Sequence, residues 1–564
     1  MEPDDIAALE NSNTQNAEIV SILGSFQKRN LSMFSFPELD RNSSRARLWK
    51  CLMQLLSTPL PEQLLKEILG CLRILGRDKK GLDDIICVQH IDLLLKHAGI
   101  VSQEEAIKLI NEKENFEVNL EALKCLSNIV FNSPKAQKIC GTNNTMEGIL
   151  NRLRTYRDRS FPDELKYFDM KMLFLVTALH QDSRAQLKEE LHGMTYLMEL
   201  IDYEMSQAVG DPDYQGAVGG LHAPLNITNE QGQLLCEVLK VLFNICCKDK
   251  GLHLDEEAEA HGQRLVCILR DLLLASTSTP EKRLDLQNHT VNMLTAVPAP
   301  CLSFLVAPLP EKDNGNGVVE FEGSNMEAVA VLLHILQNKL DGAEEETSTQ
   351  TECLAPILTV LIECARNHRI LRKFLRLQIL PPLKDTHRRP EEGNTIRNRL
   401  CKFLTSPYTQ IKDLVAELLF ILCKENVGRM IKYTGYGNAA GLLANRGLLA
   451  GRRDDDEGPN YSSESEDSDT EEYKKYRHEM NPVTGCWEPP RENPMDGMSE
   501  EQKEYEAVQL ANLMAKLSNE GIVQPCRIGE DGRPQPVDHI MQLQEELPRQ
   551  QVRASHPTEG DEDV

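Results

Sequence analysis

The sequence predicts an all-α protein: an armadillo/HEAT-like helical-repeat superhelix followed by a partly disordered acidic C-terminal region with short helices. Three observations predict it. Hydrophobic residues make up 41 % of the 564 positions but aromatics only 5 %, a balance that suits helices packed on helices better than sheets. One apolar pattern with helical spacing returns along the first three-quarters of the chain. Near residue 450 the composition changes to acidic and Pro-bearing, with few large apolar residues.

The recurring segments are LLKEILGCLRILGRD (64–78), LEALKCLSNIVFNSP (120–134), MKMLFLVTALHQD (170–182) and LLCEVLKVLFNICCKD (234–249). LQNHTVNMLTAVP (286–298), LAPILTVLIECARNH (354–368) and IKDLVAELLFILCKE (411–425) continue the series. Each carries apolar residues at i, i+3, i+4 and i+7 and is too apolar to stand alone, so it needs a helix on either side. The segments recur at about 50–70-residue intervals, longer than the ~40–47 residues of an armadillo or HEAT unit. Inserted loops are expected at Gly210–Asn229, Leu309–Gly323 and Asp341–Gln350.

The expected divisions are 1–430 for the repeat domain and 431–451 for a glycine-rich segment and helix. An acidic linker at 452–497, an amphipathic helix at 498–520 and a disordered tail at 521–564 follow. Ser499 and Gln502 have the spacing of a capping box. Ala507, Leu510, Leu513, Met514 and Leu517 then make one apolar face.

The formal net charge of −25 argues against nucleic acid, whose phosphates call for a basic surface, and against an anionic membrane face. The acidic start MEPDDIAALENSN lacks the apolar core of a secretory signal, and no apolar run approaches the ~18–20 residues of a membrane span. The sixteen cysteines sit mostly in apolar runs and form no C-x-x-C pair, as buried thiols of a reducing compartment would. A cytoplasmic monomer without metal or cofactor is expected.

Charge is distributed unevenly. Residues 365–402 hold eleven Lys/Arg against three acidic residues, a balance of +8. Arg366, Arg369, Lys373 and Arg376 fall at i, i+3, i+7 and i+10, with Arg372 beside them, as one helix face would place them. Arg73 and Arg77 make a smaller pair. Such guanidiniums either wait for an anionic partner, such as a carboxylate terminus, or form an ordinary solvated face. Residues 451–473 hold ten Asp/Glu against two Arg, or −8. Ser463 and Ser468 each have a Glu three residues on, the pattern an acidophilic kinase prefers, and phosphate would add about −1.5 to −2 charges per site. The alternative is an unmodified solvating linker.

Asn128 and Asn244 occupy one register of their helices, with Asn292 close to it. An Asn there either holds a bound peptide backbone or bonds its own helix end. No phosphate loop, nucleophile elbow or H-E-x-x-H is present. Residues 433–441 (YTGYGNAAG) imitate a dinucleotide fingerprint, but a helix precedes them where a strand is required. A tight glycine connection is expected there instead, and no enzyme.

IKYTGYGNAAGLLANRGLLAG (431–451), the acidic Ser/Thr run, NPVTG (481–485), NPMDGMSEEQKEYEA (493–507) and LMAKLS (513–518) follow one another in an order that resembles the C-terminal half of the synembryn family, named for resistance to inhibitors of cholinesterase. Upstream, LRILGRD (72–78), LKCLSNIVFNSP (123–134), RDRSFP (157–162), FDMKMLFLVTAL (168–179), LKVLFNI (239–245), ECARNHRILRKFL (363–375) and LPPLKD (380–385) fit as well. The MEP start, RDRSFP and NPVTG look like the A-type synembryn, which serves the i, q and 12/13 classes of G protein α subunit. QKEYEA and RGLLAG are closer to the B-type, and the A-type is adopted here.

The resemblance implies an armadillo-type protein that assists folding of nascent, nucleotide-free Gα. It also implies guanine nucleotide exchange on GDP-bound Gα, independent of receptors, with recruitment from the cytoplasm to the cell cortex. It implies that Arg73, Arg77, Asn128, Arg369, Arg372 and Lys373 contact the C-terminal helix of Gα, and Asn244 is added for its register. The family's kinase-modified stretch, of the casein kinase 2 type, falls on Ser463 and Ser468. Two departures stand out: TAVP (295–298) where GNLP is expected, and extra serines in SESEDSDTEE. The competing reading is an armadillo-type adaptor that binds extended peptides without exchange activity.

Overall fold

A computed structural model describes residues 3–11, 14–41, 43–101, 116–157, 161–210, 225–246, 256–309, 319–342, 353–449, 470–489, 495, 497–529 and 531–537. The chain divides into two compact units, Met1–Leu336 with Thr359–His368, and Gln337–Leu358 with Arg369–Val564.

The first unit is a row of helices packed side by side in chain order: α1 (Asn16–Asn30), α2 (Glu62–Leu75), α3 (Phe116–Asn132), α4 (Asp163–Leu179), α5 (Asn229–Cys246) and α6 (Pro280–Leu294). Further helices pack on one side of the row, among them Ser44–Leu56, Val88–His97, Gly193–Val209 and Glu256–Leu274. Periodicity explains the arrangement. In α3, Val118, Ala122, Cys125, Leu126, Ile129 and Val130 are buried, and in α5 Leu234, Leu235, Val238, Leu239, Val241 and Leu242 are. Apolar stripes this wide need partners on two sides. All seven segments read from the sequence are helical, so the helical-repeat class is the one observed.

A buried charge network supports α4 from beneath. Asp169 has no exposure and accepts from Arg152 Nε (2.8 Å), from Arg152 Nη2 and from Tyr156 Oη (2.7 Å). Arg152 Nη1 donates to Ala98 O (2.6 Å). Burial, and then the nearby Asp169 charge, raise the Tyr156 hydroxyl well above its ordinary pKa.

The second unit centres on α10 (Thr409–Leu422). Packed on it are α8 (Arg369–Ile379), α9 (Ile396–Phe403), α11 (Val427–Thr434) and α12 (Tyr436–Asn445). The glycine segment 431–441 is the joint between α11 and α12. Gly435 has φ 75° and ψ 148°, a conformation essentially reserved for glycine. The NPVTG turn docks on this joint. Tyr436 N–H donates to Pro482 O (2.8 Å) and Gly437 N–H to Val483 O (2.9 Å). α13 (Glu471–Tyr476) precedes that turn, and Thr470 Oγ1 donates to Leu383 O. The described strands are two or three residues long, as in Met480–Asn481 against Cys486–Trp487.

α14 (Glu500–Asn519) starts with the expected capping box between Ser499 and Gln502. It buries none of its residues, and Tyr505, Val508, Leu510 and Leu513 stand exposed. The three expected insertions lie largely outside the described residues.

Candidate functional site: a charged and aromatic stripe across the helix row

Helices α3 to α6 of the row each carry a second stripe, polar and aromatic, apart from the buried one. In α3 it is Glu121, Lys124, Asn128 and Phe131; in α4, Glu164, Tyr167, Phe168, Lys171 and Phe174. In α5 it is Gln233, Cys236, Lys240, Phe243 and Asn244; in α6, Lys282, Asp285, His289 and Asn292. The i, i+3/i+4, i+7 spacing puts each set on one face, and these side chains are half-buried or exposed. A pocket of about 660 Å³ runs across α4, α5 and α6 along these residues.

The stripe pairs cations with rings. Lys124 lies 5.5 Å from the Phe168 ring, Lys171 5.4 Å from Phe168 and 5.6 Å from Tyr167, and Lys240 4.6 Å from Phe174. Tyr167 and Phe168 meet edge to face at 5.2 Å. Such contacts fix the rings and keep the ammonium groups at the surface. Ion pairs step from helix to helix, as Lys66–Glu117, Arg73–Glu121 and Lys124–Glu164. Burial, then Glu237, raises the Tyr167 hydroxyl. Burial, then Lys240, lowers the His289 pKa, so this imidazole stays neutral at pH 7.

The expected site residues take different kinds of place. Arg73 is in α2, half-buried and paired with Glu121. Arg77 lies two residues beyond the end of α2, so the expected shared helix face does not exist. Asn128 Nδ2 donates to Arg73 O (3.0 Å) and Asn244 Nδ2 to Thr177 Oγ1 (3.0 Å). These amides therefore bond the preceding helix of the row rather than their own backbone. Asn132 repeats the device, donating to Gly76 O (3.0 Å) and Arg77 O (3.2 Å).

The basic face of 365–402 is corrected. α7 (Ala355–Asn367) ends one residue before α8 starts at Arg369, so the expected register does not run through. His368 at the break faces Ala299 O at 2.9 Å. Arg376 is buried with Leu371, Phe374, Leu375 and Ile379. Arg369 is exposed and Arg372 and Lys373 half-buried, each already engaged with neighbouring groups. Ser463 and Ser468 lie outside the described residues.

The family model described as guanine nucleotide exchange factor synembryn matches residues 68–533. The chain belongs to the synembryn family. Among its relatives is Chaperone Ric-8A of Gallus gallus, 40 % identical over 541 residues, covering 96 % of this chain and 97 % of the relative. Chaperone Ric-8A of Danio rerio is 41 % identical, covering 91 % of each. Chaperone Ric-8 of Drosophila melanogaster is 39 % identical, covering 96 % of this chain and 97 % of the relative. A solved structure of SYS-1 aligns with TM-score 0.42 and 13 % identity, over 79 % of this chain and 68 % of that one. The A-type name of the vertebrate relatives agrees with the subtype adopted from the sequence.

For a synembryn, the stripe supplies what the charge count alone did not reveal. Lys124, Tyr167, Phe168, Lys171, Phe174 and Lys240 were missed because each sits inside a run read as apolar core. Their signal was a Lys or ring returning every third or fourth residue within those runs. Among the described residues, no group of three His, Cys, Asp or Glu side chains is placed to hold a metal. Burial pushes thiols up, that of Cys236 in the pocket to about 12, so it remains a protonated thiol at neutral pH.

Proposed function

We propose that this protein binds G protein α subunits, assists their folding in the nucleotide-free state and promotes GDP release, with the stripe of the first unit holding the Gα C-terminal helix. The observation that carries the reading is the half-exposed row of rings and ammonium groups across α3 to α5. It offers apolar area beside ammonium groups, with Lys124 paired to Glu164 and Lys240 to Glu237, a mixed surface that suits an amphipathic helix. Family membership supports the choice of partner. Arg369, Arg372 and Lys373 add a second basic contact to Gα. Ser463 and Ser468 are substrates of an acidophilic kinase that tunes activity. The protein works as a cytoplasmic monomer recruited to the cell cortex, on the i, q and 12/13 classes.

The mechanism needs no bond-making. A groove that binds the C-terminal helix only when that helix leaves the Gα core binds nucleotide-free Gα better than GDP-bound Gα. That difference in affinity sets the limit on how far GDP release is favoured. GTP binding then restores the Gα core and dissociates the complex.

The test mixes the protein with GDP-loaded Gαi and follows nucleotide release. Acceleration and capture of nucleotide-free Gα are expected. The triple variant Arg369→Glu, Arg372→Glu, Lys373→Glu should stimulate GDP release from Gαi less while keeping the helical circular-dichroism spectrum of the wild type. No acceleration and no capture by the wild-type protein would leave only the peptide-binding adaptor.

A further inference from the structure

Two of the three ammonium groups that rest on rings along the stripe already have a carboxylate. Lys124 Nζ lies 2.7 Å from Glu164 Oε1, and Lys240 Nζ lies 2.5 Å from Glu237 Oε1. Lys171, on α4 between them, has none among the described residues. It is half-buried, and the groups it meets are the rings of Tyr167 (5.6 Å) and Phe168 (5.4 Å). The carboxylates nearest in sequence are engaged elsewhere, Glu164 with Lys124 and Asp163 with Lys166 at 3.3 Å. Lys282 of α6, also in the pocket, lacks a carboxylate within ion-pair distance as well, but it rests on no ring.

The two rings under Lys171 form a fixed platform. Tyr167 and Phe168 meet edge to face at 5.2 Å. The Tyr167 hydroxyl is hydrogen-bonded to Glu237 of α5, and Phe168 has Lys124 of α3 5.5 Å from its centroid. The ammonium of Lys171 is therefore held in place rather than left to sweep through water, and it stands in the wall of the pocket. Ring faces compensate a partly desolvated ammonium only in part, by about 0.5–1 kcal/mol. A carboxylate brought by a ligand would complete the compensation at little further loss of side-chain freedom. Neighbouring packed helices lie about 8–10 Å apart, close to two turns of a helix laid across them. Lys171 therefore addresses a single place on such a helix, distinct from the places that meet α3 and α5.

We propose that Lys171 is a specificity-determining residue of the groove, and that its ammonium donates to an Asp or Glu side chain of the bound helix where that helix crosses α4. The proposal rests on the reading of the helix row as the Gα C-terminal site and names one position at which the occupant is read. A helix with an uncharged side chain at that place leaves the ammonium without a counter-charge and binds more weakly.

The test measures the affinity of the full-length protein for a synthetic peptide of the Gαi C-terminal helix. It repeats the measurement for a set in which each Asp or Glu in turn is replaced by its amide. Lys171→Met keeps a long apolar stem over the rings and removes the charge. It should weaken binding of the unmodified peptide about ten-fold. One amide peptide should lose about the same factor on the wild type, and lose nothing further on Lys171→Met, as a coupled pair requires. Raising the ionic strength should weaken the unmodified peptide more than that amide peptide on the wild type, a readout that needs no variant. Lys171→Arg should restore both affinity and coupling. Undiminished binding by Lys171→Met, a set in which no replacement is coupled to it, or a Lys171→Arg that restores neither would overturn the proposal. Failure of the wild-type protein to bind the unmodified peptide would instead overturn the groove reading.

Discussion

Asp169 shows how one residue can shape a surface it does not reach. It is fully buried and satisfies Arg152 twice and Tyr156 once. Two residues before it and one residue before it, Tyr167 and Phe168 face the groove. The carboxylate therefore fixes the rotation of α4 about its axis, and with it the direction of the rings. Replacing it with Ala would leave the Arg152 guanidinium, itself almost inaccessible, buried without a counter-charge. That should cost about 3–5 kcal/mol, far more than an exposed pair such as Arg47–Glu10 would. Urea denaturation of Asp169→Ala against the wild type checks it. A loss below about 1 kcal/mol, the worth of a surface ion pair, would mean that the network does not hold α4.

At the scale of elements, the joint between α11 and α12 is the most constrained. A Cβ at Gly435 would approach Val483 O and Thr484 O to 3.1 Å, and its φ of 75° already disfavours any other residue. Gly435→Ala should cost about 1–3 kcal/mol and speed amide exchange at Tyr436 and Gly437, whose N–H groups the NPVTG turn accepts. Gly441, inside α12 with nothing within 4 Å of its Cβ position, is the control. There Ala should stabilise by about 0.5–1 kcal/mol. If both variants behave alike, the docked turn does not constrain the joint. The sequence made α11 and α12 legible through their composition, but not what the glycines were for, because the accepting carbonyls lie beyond an intervening acidic run. Likewise the seven core helices were legible from apolar spacing, whereas the break at His368 was not. No Gly or Pro marks it, and the charged residues continue in helical register across it. Arg376 read as a surface cation because spacing alone does not distinguish a solvated arginine from one enclosed by neighbouring helices.

At the scale of the molecule, acid should weaken the first unit through its histidines before the carboxylates titrate. His90, His97 and His289 all have pKa values below the ordinary 6.5, each chiefly because burial disfavours the charged ring. His90 shows the cost directly. Trp49 is buried, and its indole Nε1–H, which can only donate, reaches His90 Nδ1 at 3.3 Å. Protonating that nitrogen removes the acceptor. Since the folded pKa values lie below the unfolded ones, the unfolded chain binds more protons as pH falls through 6.5. Stability therefore declines from neutral pH downward and is insensitive to these groups well above 6.5. Melting midpoints should drop between pH 7.5 and 5.5, a range in which ordinary carboxylates stay ionised. Emission from Trp49, isolated by Trp487→Phe, should change over the same range. His90→Asn, whose side-chain carbonyl can still accept from the indole, should flatten both profiles. Profiles as steep in His90→Asn as in the wild type would show that the acid sensitivity arises elsewhere than at the Trp49–His90 contact.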